Sequence, residues 1–359
     1  MAGSSFGRFL TMSTFGESHG GAVGVVLDGV PPGLDLCEQD IQFELDRRKP
    51  GQSSVTTPRK EADEVQILSG VFSGRTTGTP ILLILYNTDA RPSAYDDIKN
   101  AFRPGHADYT YWKKYGFRDW RGSGRASGRE TAGRVAAGAV AGKLLRQQGI
   151  QTRAYTLQAA GIRCSEIDFD QIEENAMRAP DAAAATKMIE LVEKAAADGD
   201  SVGGIIECRV DGLMPGIGEP VFDRLEADLA KAMLSIGGVK GFEIGAGFAA
   251  ADMLGSEHND QMNADGFLTN NAGGVLGGIS SGQPLVFRVA VKPTSSISRE
   301  QQTRNLEGKE TPIQTIGRHD PCLCPRMVPV VEAMTNMVLQ DQIMMQNARS
   351  SGVAKAWHS

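Results

Sequence analysis

With 359 residues, 41% of them hydrophobic and 22% charged, the chain can bury a sizeable core, and a net charge of -6 excludes a nucleic-acid binder that works by bulk electrostatics. Five cysteines (Cys37, Cys164, Cys208, Cys322 and Cys324) are an odd number thinly spread, which excludes a disulfide framework and agrees with a reducing, cytosolic address. The opening residues lack the basic start and apolar run of a secretory signal, and no later segment is apolar for bilayer length, so a cytoplasmic protein without a membrane span is expected.

In chain order, 22–30 reads as a strand, 40–49 as a helix and 80–87 as a second strand, the strands being short, aliphatic and bounded by Gly, Pro, Asn or Asp. The helix with the clearest ends runs from about 128 to 148. Ser127 and Glu130 have the spacing of a capping box, and Gly149 can take the left-handed position after the last turn. Its interior alternates Ala and Gly, which predicts a buried central helix against which another backbone packs closely. Further on, 181–197 is a helix, 202–213 a strand, 220–236 a helix with Leu225, Leu229 and Met233 on one face, 284–292 a strand and 328–346 a helix. No linker or fixed-period repeat interrupts the chain, so a single domain over 1–359 is expected. The mixture is α/β or α+β, and pattern alone does not choose.

The charge is uneven. Between Arg103 and Arg134 lie eight basic residues and three acidic ones, Asp108, Asp119 and Glu130, a balance that suits a small, multiply anionic ligand better than a polymer. Arg125-Ala126-Ser127-Gly128-Arg129 sets two guanidinium groups beside the free amides of a helix start. That is either a phosphate site or a solvated Arg/Gly loop, and the local sequence leaves both open. His19 (in GESHGG) and His106 (in RPGHAD) are displayed among Gly and Pro. The first segment is no nucleophile elbow, and His319 with Cys322 and Cys324 matches no usual zinc spacing. The run Gly273-Gly274-Val275-Leu276-Gly277-Gly278 lacks the dinucleotide fingerprint and instead admits a flat ligand or another backbone.

Together, GESHG at 16–20, FRPGHADYTYWKKYG at 102–116, GRASGRETAGRVAAGA at 124–139 and GRHDPC at 317–322 resemble the signatures of the chorismate synthase family. DRRKPGQSS at 46–54, GGISSGQP at 277–284 and KPTSSI at 292–297 are similar to the same family, and the likeness runs from about Gly7 to Gln340. The resemblance implies a β-α-β sandwich with helices between two antiparallel sheets, usually a homotetramer. It implies an anti 1,4-elimination of phosphate from 5-enolpyruvylshikimate 3-phosphate, with reduced FMN (FMNH2) required and no net redox change.

It also implies the site. His106 would protonate or stabilise the reduced flavin, His19 would protonate the departing phosphate, and Asp320 would work with the flavin in removing the ring proton. Arg48, Arg129 and Arg318 would hold the substrate's anionic groups. Flavin contacts carry over to Arg125, Ala126, Ser127, Gly237, Gly238, Gly277, Lys292, Pro293, Thr294, Ser295, Ser296 and Arg318. Two departures stand out: Gly237-Gly238 replaces a common Asn-Ala, and Ser54 stands where some relatives carry an arginine and is left unassigned. Without the large insertions of bifunctional relatives, the chain is expected to be monofunctional. NADPH would then act only indirectly, through a separate flavin reductase, with no nucleic-acid or membrane partner.

Overall fold

A computed structural model describes residues 3–53, 55–57, 61–89, 98–315, 317 and 319–350. Seven α-helices are found among them: α1 (Glu38–Arg48), α2 (Asp108–Tyr115), α3 (Thr131–Gln147), α4 (Ala182–Ala197), α5 (Leu225–Leu234), α6 (Gly255–His258) and α7 (Cys324–Ser350).

Helix α3 is the buried central helix that its small residues predict. A Cβ on Gly133 would lie 2.8 Å from the carbonyl oxygen of Gly24, and one on Gly138 would lie 2.3 Å from Ala333 Cβ. Glycine is therefore what lets α3 touch a strand on one side and α7 on the other. The capping box is only half formed. Ser127 Oγ accepts from Arg129 N at 3.3 Å, but the Glu130 carboxylate accepts from Thr14 Oγ1 and from Arg134 Nε, each at 2.8 Å. A single 3-10 turn, Gly128–Glu130, thus precedes α3.

One five-stranded antiparallel sheet has the spatial order Ser5–Phe6, Thr11–Gly16, Ala22–Asp28, Ile81–Tyr86, Val65–Ile67. A second has the order Val239–Ile244, Leu285–Val291, Gly204–Asp211, Gln151–Ala159, Ile162–Arg163, again antiparallel throughout. Helix α3 packs on the first sheet and α7 on the second, while α3 and α7 pack on each other. The result is two sheets with helices between them, in one continuous apolar core that includes Val25, Leu83, Val140, Leu339, Cys208 and Phe287.

Helix α5 begins at Leu225, five residues later than its periodicity predicts, because 220–224 are not helical. Leu225, Leu229 and Met233 are all fully buried on its inner face. Helix α7 begins four residues early, running through Pro325 and Pro329. Pro325 sits in the first turn, where a missing N–H costs nothing. Pro329 leaves the Pro325 carbonyl without its helical donor, and Arg178 Nη1 supplies a hydrogen bond to that oxygen at 2.7 Å.

Candidate active site

The ends of these elements place the predicted side chains around one ring. His19 lies in the turn between the strands Thr11–Gly16 and Ala22–Asp28, against Gly122, where a Cβ would come within 1.9 Å of its Nδ1. The next residue, Ser123, accepts from Arg103 Nη2 at 2.9 Å. Arg103 in turn meets His106: Nη2 lies 3.2 Å from the imidazole Nδ1. Asp108, at the start of α2, ties this corner together. It accepts from Arg103 Nε at 2.7 Å and from Arg118 Nη1 at 3.0 Å, and its Oδ1 is 3.1 Å from His106 Nδ1.

Burial alone would raise the Asp108 carboxyl, but His106 and Arg103 more than offset it and hold it well below the usual carboxylate range. Burial pushes the His106 imidazole below its ordinary value, with Asp108 opposing and Arg103 assisting. His106 therefore rests neutral near pH 7. Its Nδ1 lies between the Asp108 carboxylate and the Arg103 guanidinium, which together orient the ring and leave Nε2 as the nitrogen not engaged by them.

From His106 the ring passes to the segment 292–296. Ser295 Oγ donates to the carbonyl of Gly105 at 2.7 Å, Lys292 Nζ donates to the same oxygen at 3.2 Å and also to Ser295 Oγ, and Arg103 Nη1 reaches Ser296 Oγ at 3.5 Å. Lys292 N donates to Gly238 O at 2.9 Å, so the Gly237-Gly238 pair adjoins this loop. Burial and nearby Lys240 lower the Lys292 ammonium, which has no carboxylate partner among the described residues. Thr294 Oγ1 donates to the Asp320 carbonyl at 2.7 Å.

Asp320 carries the ring to the remaining arginines. Its carboxylate accepts from Thr57 N at 2.9 Å and from Arg326 Nη1 at 2.6 Å. Arg326 Nε donates to the Arg48 carbonyl at 3.2 Å. Arg48 is 1% exposed, and its Nη2 donates to Asp63 Oδ2, while Arg129 Nη1 donates to Asp63 Oδ1. Arg129 Nε donates to Asn87 Oδ1 at 2.7 Å, and Asn87 Nδ2 donates to the carbonyls of Glu17 and Gly20 on either side of His19, which closes the ring.

Other predicted residues stand differently. The Arg125 guanidinium donates to the Thr14 and Gly16 carbonyls at 3.1 and 3.2 Å and to Thr14 Oγ1 at 2.8 Å, so its terminal nitrogens serve the strand. Ala126 and Ser127 follow it into α3. Gly277 sits in the hairpin beside the first residue of α5, where Leu225 N donates to Gly278 O at 2.9 Å, whereas Gly237-Gly238 follows the helix's other end. Ten helical residues thus stand between the two glycine pairs, about 15 Å along the axis of α5. Arg318 and Ser54 lie outside the described residues. The cation beside Asp320 that the structure describes is Arg326, which the sequence reading missed, as it missed Asp63 and Asn87. Asp108, Arg103 and Arg118 were visible as members of the basic stretch without distinct roles. No described helix is long and apolar enough to cross a membrane.

A family model described as chorismate synthase matches residues 10–344. A protein named chorismate synthase from Desulfatibacillum aliphaticivorans is 57% identical over 346 residues, covering 96% of this chain and 97% of the relative. One of the same name from Methanosarcina mazei is 58% identical over 353 residues, covering 96% and 97%. A solved structure titled "Crystal Structure of Chorismate Synthase" superposes with a TM-score of 0.76 at 31% identity, covering 95% of this chain and 93% of that one.

Proposed function

The chain belongs to the chorismate synthase family, a family of lyases of the shikimate pathway to aromatic amino acids, and we propose that its ring of side chains performs the family's 1,4-elimination on 5-enolpyruvylshikimate 3-phosphate. The observation that supports this reading is the convergence of His19, His106, Asp320, Arg48 and Arg129, from five separate stretches of sequence, on one ring of hydrogen bonds and close contacts.

The residues at 292–296 fit a flavin phosphate or an anionic reduced ring. Lys292 and neighbouring Lys240 form a positive surplus, and Ser295 and Ser296 offer hydroxyls. Gly237 leaves open space, since a Cβ there would have no neighbour within 4 Å. Lys292 through Ser296, Gly238 and His106 would hold the reduced FMN, and Gly277 would be supplied by a second copy in a homotetramer. When bound, the reduced flavin supplies electron density that eases departure of the phosphate.

The protein's part is positioning and proton traffic. Arg48 and Arg129 would grip the substrate's anionic groups, with Arg318 assigned the same part by the family motif. His19 would deliver a proton to the leaving phosphate, and Asp320, with lone pairs beyond those used by Thr57 and Arg326, would receive the ring proton. Breaking the C–O bond to phosphate and the ring C–H bond while forming a double bond leaves no net redox change. His106, oriented by Asp108 and Arg103, would stabilise or protonate the reduced flavin. The chain would act as one domain, because α3 on the first sheet and α7 on the second pack on each other, and it would work in the cytoplasm and depend on a separate reductase. Anaerobic incubation with the substrate and reduced FMN is expected to yield chorismate. Turnover in air with oxidised FMN and NADPH alone would contradict the monofunctional reading.

A further inference from the structure

Two of the most deeply buried guanidinium groups of the ring share one carboxylate. Asp63 is 1% exposed, and its two oxygens face different partners: Oδ2 takes Arg48 Nη2 and Oδ1 takes Arg129 Nη1. Arg48 reaches it from the last turn of α1 and Arg129 from the turn before α3, so a single side chain sets the spacing between two elements. Asp63 itself is held at a positive φ of 51°, a backbone region that aspartate tolerates better than most residues, and Gln42 Nε2 pins its carbonyl at 3.2 Å.

Two guanidinium groups confined this closely repel one another in a weakly screened interior, and a carboxylate between them cancels that repulsion. It also uses only part of each fork. Arg48 Nε is buried with no acceptor among the described residues, and Arg129 keeps donors beyond those given to Asp63, Asn87 and Tyr86. Burial raises the Asp63 carboxyl, but Arg48 and Arg129 outweigh it, so Asp63 stays ionised throughout the neutral range.

We infer that Asp63 is a positioning residue for substrate recognition: it fixes Arg48 and Arg129 side by side, at the separation and charge balance at which they hold the separate anionic groups of a compact, multiply anionic substrate. This rests on the reading of Arg48 and Arg129 as substrate ligands. Asp63 works through them and touches no reacting atom. Its loss therefore weakens substrate capture while leaving the flavin site, on the far side of Asp320, unchanged. A purely structural carboxylate would instead lower stability and active-enzyme yield without altering KM.

The test compares Asp63→Asn, Asp63→Glu, Arg48→Ala and Arg129→Ala in the full chain, measuring KM for 5-enolpyruvylshikimate 3-phosphate, kcat per folded active site and the Kd of FMN. Asp63→Asn is expected to raise KM roughly tenfold or more, with kcat within a few-fold of the parent and FMN affinity unchanged. Asp63→Glu, which keeps the charge but lengthens the arm, is expected to recover part of that loss. A parent-like KM in Asp63→Asn, alongside raised KM in both arginine variants, would overturn the inference and leave the substrate reading intact. Parent-like KM in both arginine variants would overturn the reading beneath it. If Asp63→Asn does not fold, a raised KM with retained kcat in Asp63→Glu supports the positioning role. A parent-like KM or failure to fold in Asp63→Glu would assign Asp63 to structure alone.

Discussion

Asp320 and Arg326 form an ion pair of 2.6 Å across the start of α7, and the same carboxylate accepts from the backbone of Thr57. Both partners are largely buried, so the pair fixes the carboxylate rather than leaving it to swing. Asp320→Asn keeps the size and the Thr57 bond but strips Arg326 of its counter-charge. Turnover is expected to fall at least tenfold, a barrier increase of about 1.4 kcal/mol, with FMN binding near normal. Unchanged turnover in steady-state assays would leave Asp320 a turn-capping residue and require another base.

His19→Ala and His106→Ala are each expected to slow turnover roughly 100-fold. They are expected to differ in what they disturb. His106→Ala removes the imidazole that Arg103 and Asp108 orient, so the ionisation of bound reduced FMN should change, whereas His19→Ala should leave that titration alone and slow phosphate release. Matching flavin titrations in parent and both variants would refute this division.

Two glycines of α3 face α7 differently. A methyl on Gly138 meets Ala333 Cβ at 2.3 Å and its backbone at 2.4 Å, whereas one on Gly142 first meets Asn336 Nδ2 at 2.7 Å, the end of a side chain that can turn aside. Gly138→Ala is expected to cost about 1–3 kcal/mol of stability despite a helix-propensity gain of about 1 kcal/mol, and Gly142→Ala is expected to be close to neutral. Urea unfolding midpoints check the contrast, and equal midpoints would mean that α3 and α7 are not in close contact.

His319, one residue from Asp320, is pushed down to about 4 by burial, with Arg103 assisting and Asp320 opposing. Its unfolded value is 6.5, so between pH 6.5 and about 4 the unfolded chain binds a proton that the folded chain refuses. Stability therefore falls as the pH drops through that window and levels off below it, with about 3 kcal/mol at stake. In His319→Asn the slope should flatten, keeping only what His106 and other groups contribute. An identical slope in denaturant titrations at several pH values would contradict the burial of this imidazole.

Much of the fold was legible locally. Strands at 22–30, 80–87, 202–213 and 284–292 appear at 22–28, 81–86, 204–211 and 285–291, and the small-residue pattern of α3 predicted its burial. The strand Gln151–Ala159 escaped notice because it is buried on both faces over 154–157 and so shows no alternation. The start of α7 was hidden by Pro325 and Pro329, the second of which leaves a carbonyl that distant Arg178 satisfies. At the site, the catalytic and binding assignments came from motif likeness. Asp63 sits in the acidic run Glu61-Ala62-Asp63-Glu64, which carries no motif, and only the tertiary approach of Arg48 and Arg129 gives it a role.

The proposed elimination requires a reduced flavin that is not consumed. It is tested most directly by counting products per flavin under strict anaerobiosis, with limiting pre-reduced FMN and excess 5-enolpyruvylshikimate 3-phosphate. Chorismate and inorganic phosphate are expected to form in equal amounts, many of each per flavin, with the flavin still reduced at the end. No chorismate from a folded sample, or one product per flavin with the flavin left oxidised, would contradict the account.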